Sequence, residues 1–461
     1  MLAISALSVF GIIVLFLGFS NNKSALMLAA MLSLLATFGL ALYEWQHPEI
    51  TPAVAAGMMS FDNLSILFTA VLLVTGILLL PISERFLVDP KAQPAEYYAI
   101  LLFSMVGAIM MVTFDNLIML FLGLEILSIS LYVLTGSDKR NLLANEAALK
   151  YFLMGAFATG VLLYGVAMLY GAAGSFSLTD IALYVQDNHD NLSPMLYIGL
   201  FMMLVGMLFK LSVAPFHWWT ADVYTGAPNF FTAYMSTIVK TAGFAALYKF
   251  LSVSFVGVYD YWFLMLAICA VLTLFIGNLT ATAQQSFKRM MAYSGVSHAG
   301  YMLIAVASFS DKTPEAIFFY SLAYSIATIT AFAALMRVAD TKGSADFAAF
   351  YGLAKTNPFL SFALTVSMLS LAGIPLTAGF MGKLFVFMSA LEQGHVALVV
   401  AAVLMSAVGV YYYLRVVIAM YMREGNGVAV TLSPRFRVVL IATTVLTILL
   451  GVVPSLVAGA L

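Results

Sequence analysis

Charge is what this 461-residue sequence has least of: Asp, Glu, Lys and Arg together make 9% of it, against about 25% in an ordinary soluble domain. Too few polar groups are present to clothe a water-facing surface, which excludes a soluble globular enzyme. A single cysteine, Cys269, cannot ligate an iron–sulfur cluster or build a disulfide framework. No Cys/His cluster has the spacing of a metal site, and no glycine-rich dinucleotide fingerprint follows a strand. A net charge of −1 without any basic tract argues against nucleic acid as a partner. Any redox chemistry connected with this chain therefore belongs on other chains.

What remains is apolar. Hydrophobic residues make 63% of the chain, and they fall in runs near the roughly 20 residues that cross a hydrocarbon core. Inside lipid every backbone group must be satisfied within its own segment, so such runs are helices. The opening run, Leu2 to Phe19, lacks the basic start of a signal peptide and is too long for its apolar region, so it reads as a first span. The pattern predicts an all-α polytopic membrane protein with about 14 transmembrane helices. The first seven are Leu2–Phe19, Ala25–Tyr43, Leu64–Ile82, Tyr97–Phe114, Leu117–Leu134, Ala147–Tyr170 and Met195–Val213. The next seven are Phe230–Leu251, Tyr261–Leu279, Met290–Phe309, Ala316–Leu335, Pro358–Ala390, Val396–Met422 and Val438–Val457. The linkers are too short for a soluble domain, and the longest, Gly171 to Ser193, has room for a helix lying at the interface.

Cytoplasmic loops of membrane proteins are rich in Lys and Arg. Loops after odd-numbered spans hold 13 of them, Lys23, Arg85, Lys91, Lys139, Arg140, Lys288, Arg289, Arg337, Lys342, Lys355, Arg423, Arg435 and Arg437; loops after even-numbered spans hold 2, Lys249 and Lys312. This bias places both termini on the outer face. Five of the 20 Lys and Arg residues are then left inside spans: Lys150, Lys210, Lys240, Lys383 and Arg415. Glu125 lies near the middle of span five. An ionisable group at mid-membrane costs roughly 2.5–3.5 kcal/mol on insertion scales, so it faces a bundle interior or a wet cavity and marks a functional pathway.

Helical spacing gives these groups polar company. Glu125, Ser128 and Tyr132 share a face of span five; Ser236, Thr237, Lys240 and Thr241 form a patch on span eight; Ser294, His298 and Tyr301 line span ten. Plainer readings stand beside some of them. Lys150 follows Glu146 by four residues, the spacing of an ordinary intrahelical ion pair. Arg415 adjoins Tyr411, Tyr412 and Tyr413, which suits packing or interface anchoring, and His298 could be a histidine merely hydrogen-bonded on a polar face. Glu125, Lys210, Lys240 and Lys383 have no comparably ordinary explanation.

Two spans look broken, span seven at Ser212-Val-Ala-Pro215-Phe-His217 and span twelve at Leu371-Ala-Gly373-Ile-Pro375-Leu-Thr377. Proline removes a donor and clashes with the preceding turn, tolerable at depth only where the freed backbone lines a cavity or is buried in protein. Breaks at corresponding places in two halves point to inverted repeats around a functional site. Spans four to eight (97–252) and nine to thirteen (253–425) make two such five-helix units, flanked by 1–96 and 426–461.

At these residues the chain resembles the antiporter-like subunits of proton-pumping NADH:quinone oxidoreductase, respiratory complex I, and among them the subunit N family. The matching stretches are Phe121-Leu-Gly-Leu-Glu125, the run from Phe209-Lys210 through Pro215-Phe-His-Trp-Trp-Thr-Ala-Asp222 to Pro228, Tyr293-Ser-Gly-Val-Ser-His298-Ala-Gly-Tyr301, and Leu371 to Lys383. The modest length, without the lateral helix of subunit L, and Lys383, where subunit M carries a glutamate, favour N. The resemblance implies a translocase subunit without a redox centre of its own, with flavin, iron–sulfur clusters and quinone on partner subunits. It implies other membrane-arm subunits and the lipid bilayer as partners, and the bacterial inner membrane as location, with the termini on the periplasmic side. It also implies that Glu125 pairs with Lys210, that Lys240 is a central lysine, that His298 lies near a hydrophilic axis and that Lys383 is an exit-side lysine. A carboxylate–ammonium pair at about 4 Å is worth roughly 4 kcal/mol at an effective dielectric of 20. Moving one charge across the membrane costs about 2.3 kcal/mol per 100 mV, so making and breaking one pair has the right size to drive a proton uphill. The expected order is loading at Lys210, transfer through Lys240 and the His298 region, and release from Lys383. A subunit of a multisubunit cation/proton antiporter, or a membrane subunit of a hydrogenase or ferredoxin-linked complex, would share these motifs. A stand-alone solute transporter with broken helices is the alternative from a different class.

Overall fold

The computed structural model describes residues 1–19, 23–47, 57–83, 94–425 and 427–459, and within them every regular element is helical. Arg85 and Lys91, two of the loop cations counted above, lie outside the described residues. Each of the expected spans coincides with a helix or with a pair of half-helices. Among the described residues nine helices are long and apolar enough to cross a membrane, and Leu2–Leu17, Pro194–Lys210 and Pro358–Ala372 are shorter apolar helices. The protein is therefore a multi-pass membrane protein.

Local chemistry sets the helix ends. Asp62 accepts from the Ser65 amide at 2.7 Å and starts span three; Asn116 accepts from Ile118 at 2.9 Å and starts span five. These side chains satisfy amides that the first turn leaves without intrahelical partners. Within the spans, hydroxyls turn back onto carbonyls four residues earlier, as in Thr37 to Ser33 (2.7 Å), Thr69 to Ser65 (2.7 Å) and Thr273 to Cys269 (2.5 Å). That bond hides a polar group where no water is at hand.

The chain forms two compact units, one of Met1–Leu211 with Ile238–Met265, the other of Ser212–Thr237 with Leu266–Ala460. In the first, the linker between spans six and seven carries the helix Leu178–Asp187, whose buried residues Leu178, Ile181 and Val185 lie on one face. The Ser254 hydroxyl at the end of span eight donates to the Leu178 carbonyl at 3.0 Å, and Leu178 N–H donates to Asp115 O at 3.0 Å. In the second, Phe319, Ala323 and Ile326 of span eleven pack with Ala378 and Leu450 into an apolar cluster beside the span-twelve break.

Candidate functional site

Span seven stops at Lys210, the last residue of Pro194–Lys210, and resumes as Trp218–Gly226. The Lys210 side chain is buried, and its ammonium donates to the Ser128 hydroxyl of span five at 2.7 Å and to the Tyr151 hydroxyl of span six at 3.1 Å. The ring of Tyr151 stands edge-on to that of Tyr132, 4.7 Å between centroids. Ser128, Tyr132, Gly155, Thr159 and Lys210 border a cavity with room for about one water molecule. Glu125 lies one turn before Ser128 on the same helix, but it and Lys210 form no ion pair within 4 Å. Its Oε1 is buried without a hydrogen-bond partner in the structure. A hydroxyl, not a carboxylate, is thus the immediate partner of the lysine. Ser and Tyr hydroxyls both donate and accept, so the pair can satisfy Lys210 as an ammonium or as a neutral amine.

Span eight is irregular in a way its sequence does not announce. Residues Met235–Val239 form a π-helical turn between Asn229–Tyr234 and Lys240–Ser254, and Lys240 is the first residue after it. Such π-turns concentrate at functional positions because they rotate the following side chain and free a carbonyl. Lys240 is buried and donates to the Leu211 carbonyl at 3.3 Å, backbone that the span-seven break leaves outside any helix.

The span-twelve break is built from left-handed residues. Gly373, at φ 84°, ends Pro358–Ala372, Leu376 follows at φ 68°, and Ala378–Glu392 begins just after it. The halves meet where Gly379 N–H donates to Ser370 Oγ at 3.0 Å; a Cβ on Gly379 would stand 1.9 Å from the Ser370 carbonyl oxygen, so only glycine fits. Lys383, one turn on, is buried and donates back across the break to Ala372 O at 2.8 Å and to Ser406 Oγ of span thirteen at 2.9 Å. Its ammonium also lies 4.8 Å from the centre of the Tyr301 ring.

His298 of span ten is held at both ring nitrogens, Nδ1 to the Tyr320 hydroxyl at 2.7 Å and Nε2 to the Tyr413 hydroxyl at 3.0 Å. Tyr413 is hydrogen-bonded in turn to Ser294. Phenols on both sides accommodate either tautomer and the imidazolium. A second cavity with room for about one water lies here, bordered by His298, Tyr320, Tyr324, Ser370 and Gly379. Lys210 and Lys240 belong to the first unit, and His298 and Lys383 to the second.

Residues 115–409, from the start of span five to span thirteen, match the family model described as "NADH:quinone oxidoreductase/Mrp antiporter, TM". The chain belongs to this family. A relative from Cytophaga hutchinsonii named NADH-quinone oxidoreductase subunit N is 38% identical over 458 residues, 98% of each chain. Among solved structures, a chain of respiratory complex I from Thermus thermophilus with bound aureothin is 33% identical, with TM-score 0.82 over 99% of this chain and 98% of that one. A chain of the membrane-bound sulfane sulfur reductase, an archaeal respiratory membrane complex, is 25% identical, with TM-score 0.87 over 100% of this chain and 95% of that one. Membership of the subunit N family agrees with the motifs that run from Phe121 to Lys383.

Lys150 stands apart from the other lysines of this family member. Its ammonium lies 2.7 Å from Glu146, and the two side chains are 42% and 57% exposed. Arg415 donates to the Thr282 carbonyl at 2.7 Å and stacks on Phe347, a packing arrangement. Two lysines counted with the loop cations, Lys249 at the end of expected span eight and Lys288 just before span ten, are buried in helices. Lys249, near the end of span eight, donates to Ser60 and Ser65 at 2.6 and 3.3 Å, with Asp62 at 3.8 Å. Lys288, in the first turn of span ten, is held by backbone carbonyls. A cation near a span end fits a loop or a buried socket equally well in sequence, and only the neighbouring helix decides. Tyr151, Tyr320 and Ser406 were also missed, because a hydroxyl in an apolar helix gives no signal until its partner across the bundle is known.

Proposed function

We propose that this chain is a proton-translocating, antiporter-like membrane-arm subunit of a proton-pumping NADH:quinone oxidoreductase, in the bacterial inner membrane with both termini on the periplasmic face. The observation that carries the reading is that Lys210, Lys240 and Lys383 are each buried at a helix irregularity, respectively a break, a π-turn and a second break. Irregular backbone and buried ammonium groups are both costly at depth, and their coincidence at all three places suits a pathway in which the lysines change charge. The hydroxyls at Lys210 and the phenols at His298 can turn to follow that change.

In this reading Lys210 loads from the cytoplasmic side under the influence of Glu125, Lys240 receives the proton, and His298 and Lys383 serve release outward. Lys150, ion-paired with Glu146, stands at the periphery of the path. Spans four to eight and nine to thirteen act as inverted five-helix repeats, with the two breaks in corresponding places. Flavin, iron–sulfur clusters and quinone reside on partner subunits, whose redox cycle moves the Glu125 charge relative to Lys210. The test is isolation of the native assembly in sealed vesicles. NADH oxidation should acidify the compartment facing the chain's termini, and oxidation without acidification contradicts the proposal.

A further inference from the structure

The residues between Lys210 and Lys240 include Ser212–Thr237, which belongs to the second unit although both lysines belong to the first. Within this stretch, the half-helix Trp218–Gly226 ends at Ala227-Pro228. A helix end leaves carbonyls without amide partners, and Pro228 supplies no N–H to continue the ladder. Two side chains take up three of the carbonyls there. The Thr232 hydroxyl donates to Tyr224 O at 3.0 Å, and the Lys288 ammonium donates to Thr225 O at 3.1 Å and Ala227 O at 2.5 Å. Next to Lys288, Arg289 Nη2 lies 3.3 Å from Asp222 Oδ1, on the same half-helix. Span ten thus grips Trp218–Gly226 with consecutive cations, one on its terminal carbonyls and one on its side.

Lys288 is 6% exposed and its direct partners are neutral. Burying an ammonium without a carboxylate is costly, and a simple helix stop needs only a glycine or water. A positive charge at a helix C-terminus meets the negative end of the backbone dipole, so the ammonium suits this place. We infer that Lys288, supported by Arg289, is a positioning residue for proton transfer: it fixes the half-helix and the turn that lead from the Lys210 break to the π-turn before Lys240. The inference rests on the functional reading above.

The test uses the intact complex and two readouts, hydrogen exchange of the backbone amides of 218–227 and the proton-to-electron ratio of NADH oxidation. Lys288→Met should speed exchange there about tenfold, as expected for losing hydrogen bonds to a charged group. It should lower proton translocation through this subunit by at least half, with the ratio falling by the matching share while NADH oxidation continues, and Lys288→Arg should keep both near normal. Asp222→Asn, which weakens the ion pair to Arg289 and leaves the Lys288 hydrogen bonds in place, should speed exchange two- to threefold and decides the matter if Lys288→Met does not assemble. Unchanged exchange in either variant overturns the inference. So does faster exchange with a normal ratio, provided Lys240→Met lowers the ratio in the same assay. If Lys240→Met leaves the ratio normal, the functional reading has failed, and exchange alone decides whether Lys288 holds the half-helix.

Discussion

The ammonium of Lys210 and the hydroxyl of Ser128 meet at 2.7 Å, across a sequence separation of 82 residues. This contact, rather than a direct bond to Glu125, joins the end of half-helix seven to span five. A hydrogen bond to a charged group contributes roughly 1.5–3 kcal/mol, so Ser128→Ala should disturb one protonation state of Lys210 far more than the fold. Proton translocation through this subunit should fall severalfold and the proton-to-electron ratio by the matching share, with Ser128→Thr close to normal. A normal ratio in Ser128→Ala would remove the hydroxyl from the account.

Gly155 leaves room for the other side of that socket. A Cβ there would stand 2.0 Å from the Tyr132 hydroxyl, and Tyr132 supports Tyr151, the second partner of Lys210. Overpacking of this kind costs about 1–3 kcal/mol. Gly155→Ala should lower both the thermal stability of the complex and proton translocation, and adding Tyr132→Phe should recover part of the loss. Gly160→Ala on the same helix, with open space around it, serves as control and should leave both unchanged.

At the second break, Gly379→Ala forces its new methyl group onto the Ser370 carbonyl oxygen and must spread the half-helices that Lys383 spans. Proton translocation through this subunit should drop below a tenth of normal in complexes that still assemble. Assembly can be followed by co-purification of the partner subunits, and normal translocation would show that the break is not part of the pathway.

Much of this is legible in the sequence. The spans follow from composition because lipid leaves the backbone little choice, and the breaks follow from Pro215 and Pro375 because proline cannot complete the ladder. Lys210, Lys240 and Lys383 stood out through the cost of their position. The π-turn ahead of Lys240 was hidden, since Met235 to Val239 carry no glycine or proline to mark it. The partners of His298, Tyr320 and Tyr413, lie 22 and 115 residues away, and no helical periodicity joins them to it. Lys249 and Lys288 were hidden for a related reason: each sits within a turn or two of a helix end, where hydropathy cannot distinguish a solvated cation from one capped by a neighbouring element.

The central claim is that buried lysines carry the proton, and Lys240 tests it most directly. It is buried, and methionine nearly matches its shape without its charge. The decisive measurement is the proton-to-electron ratio of NADH oxidation by vesicles containing the intact complex with Lys240→Met. The account predicts that translocation through this subunit disappears and the ratio drops accordingly; a ratio equal to that of the unaltered complex would contradict it.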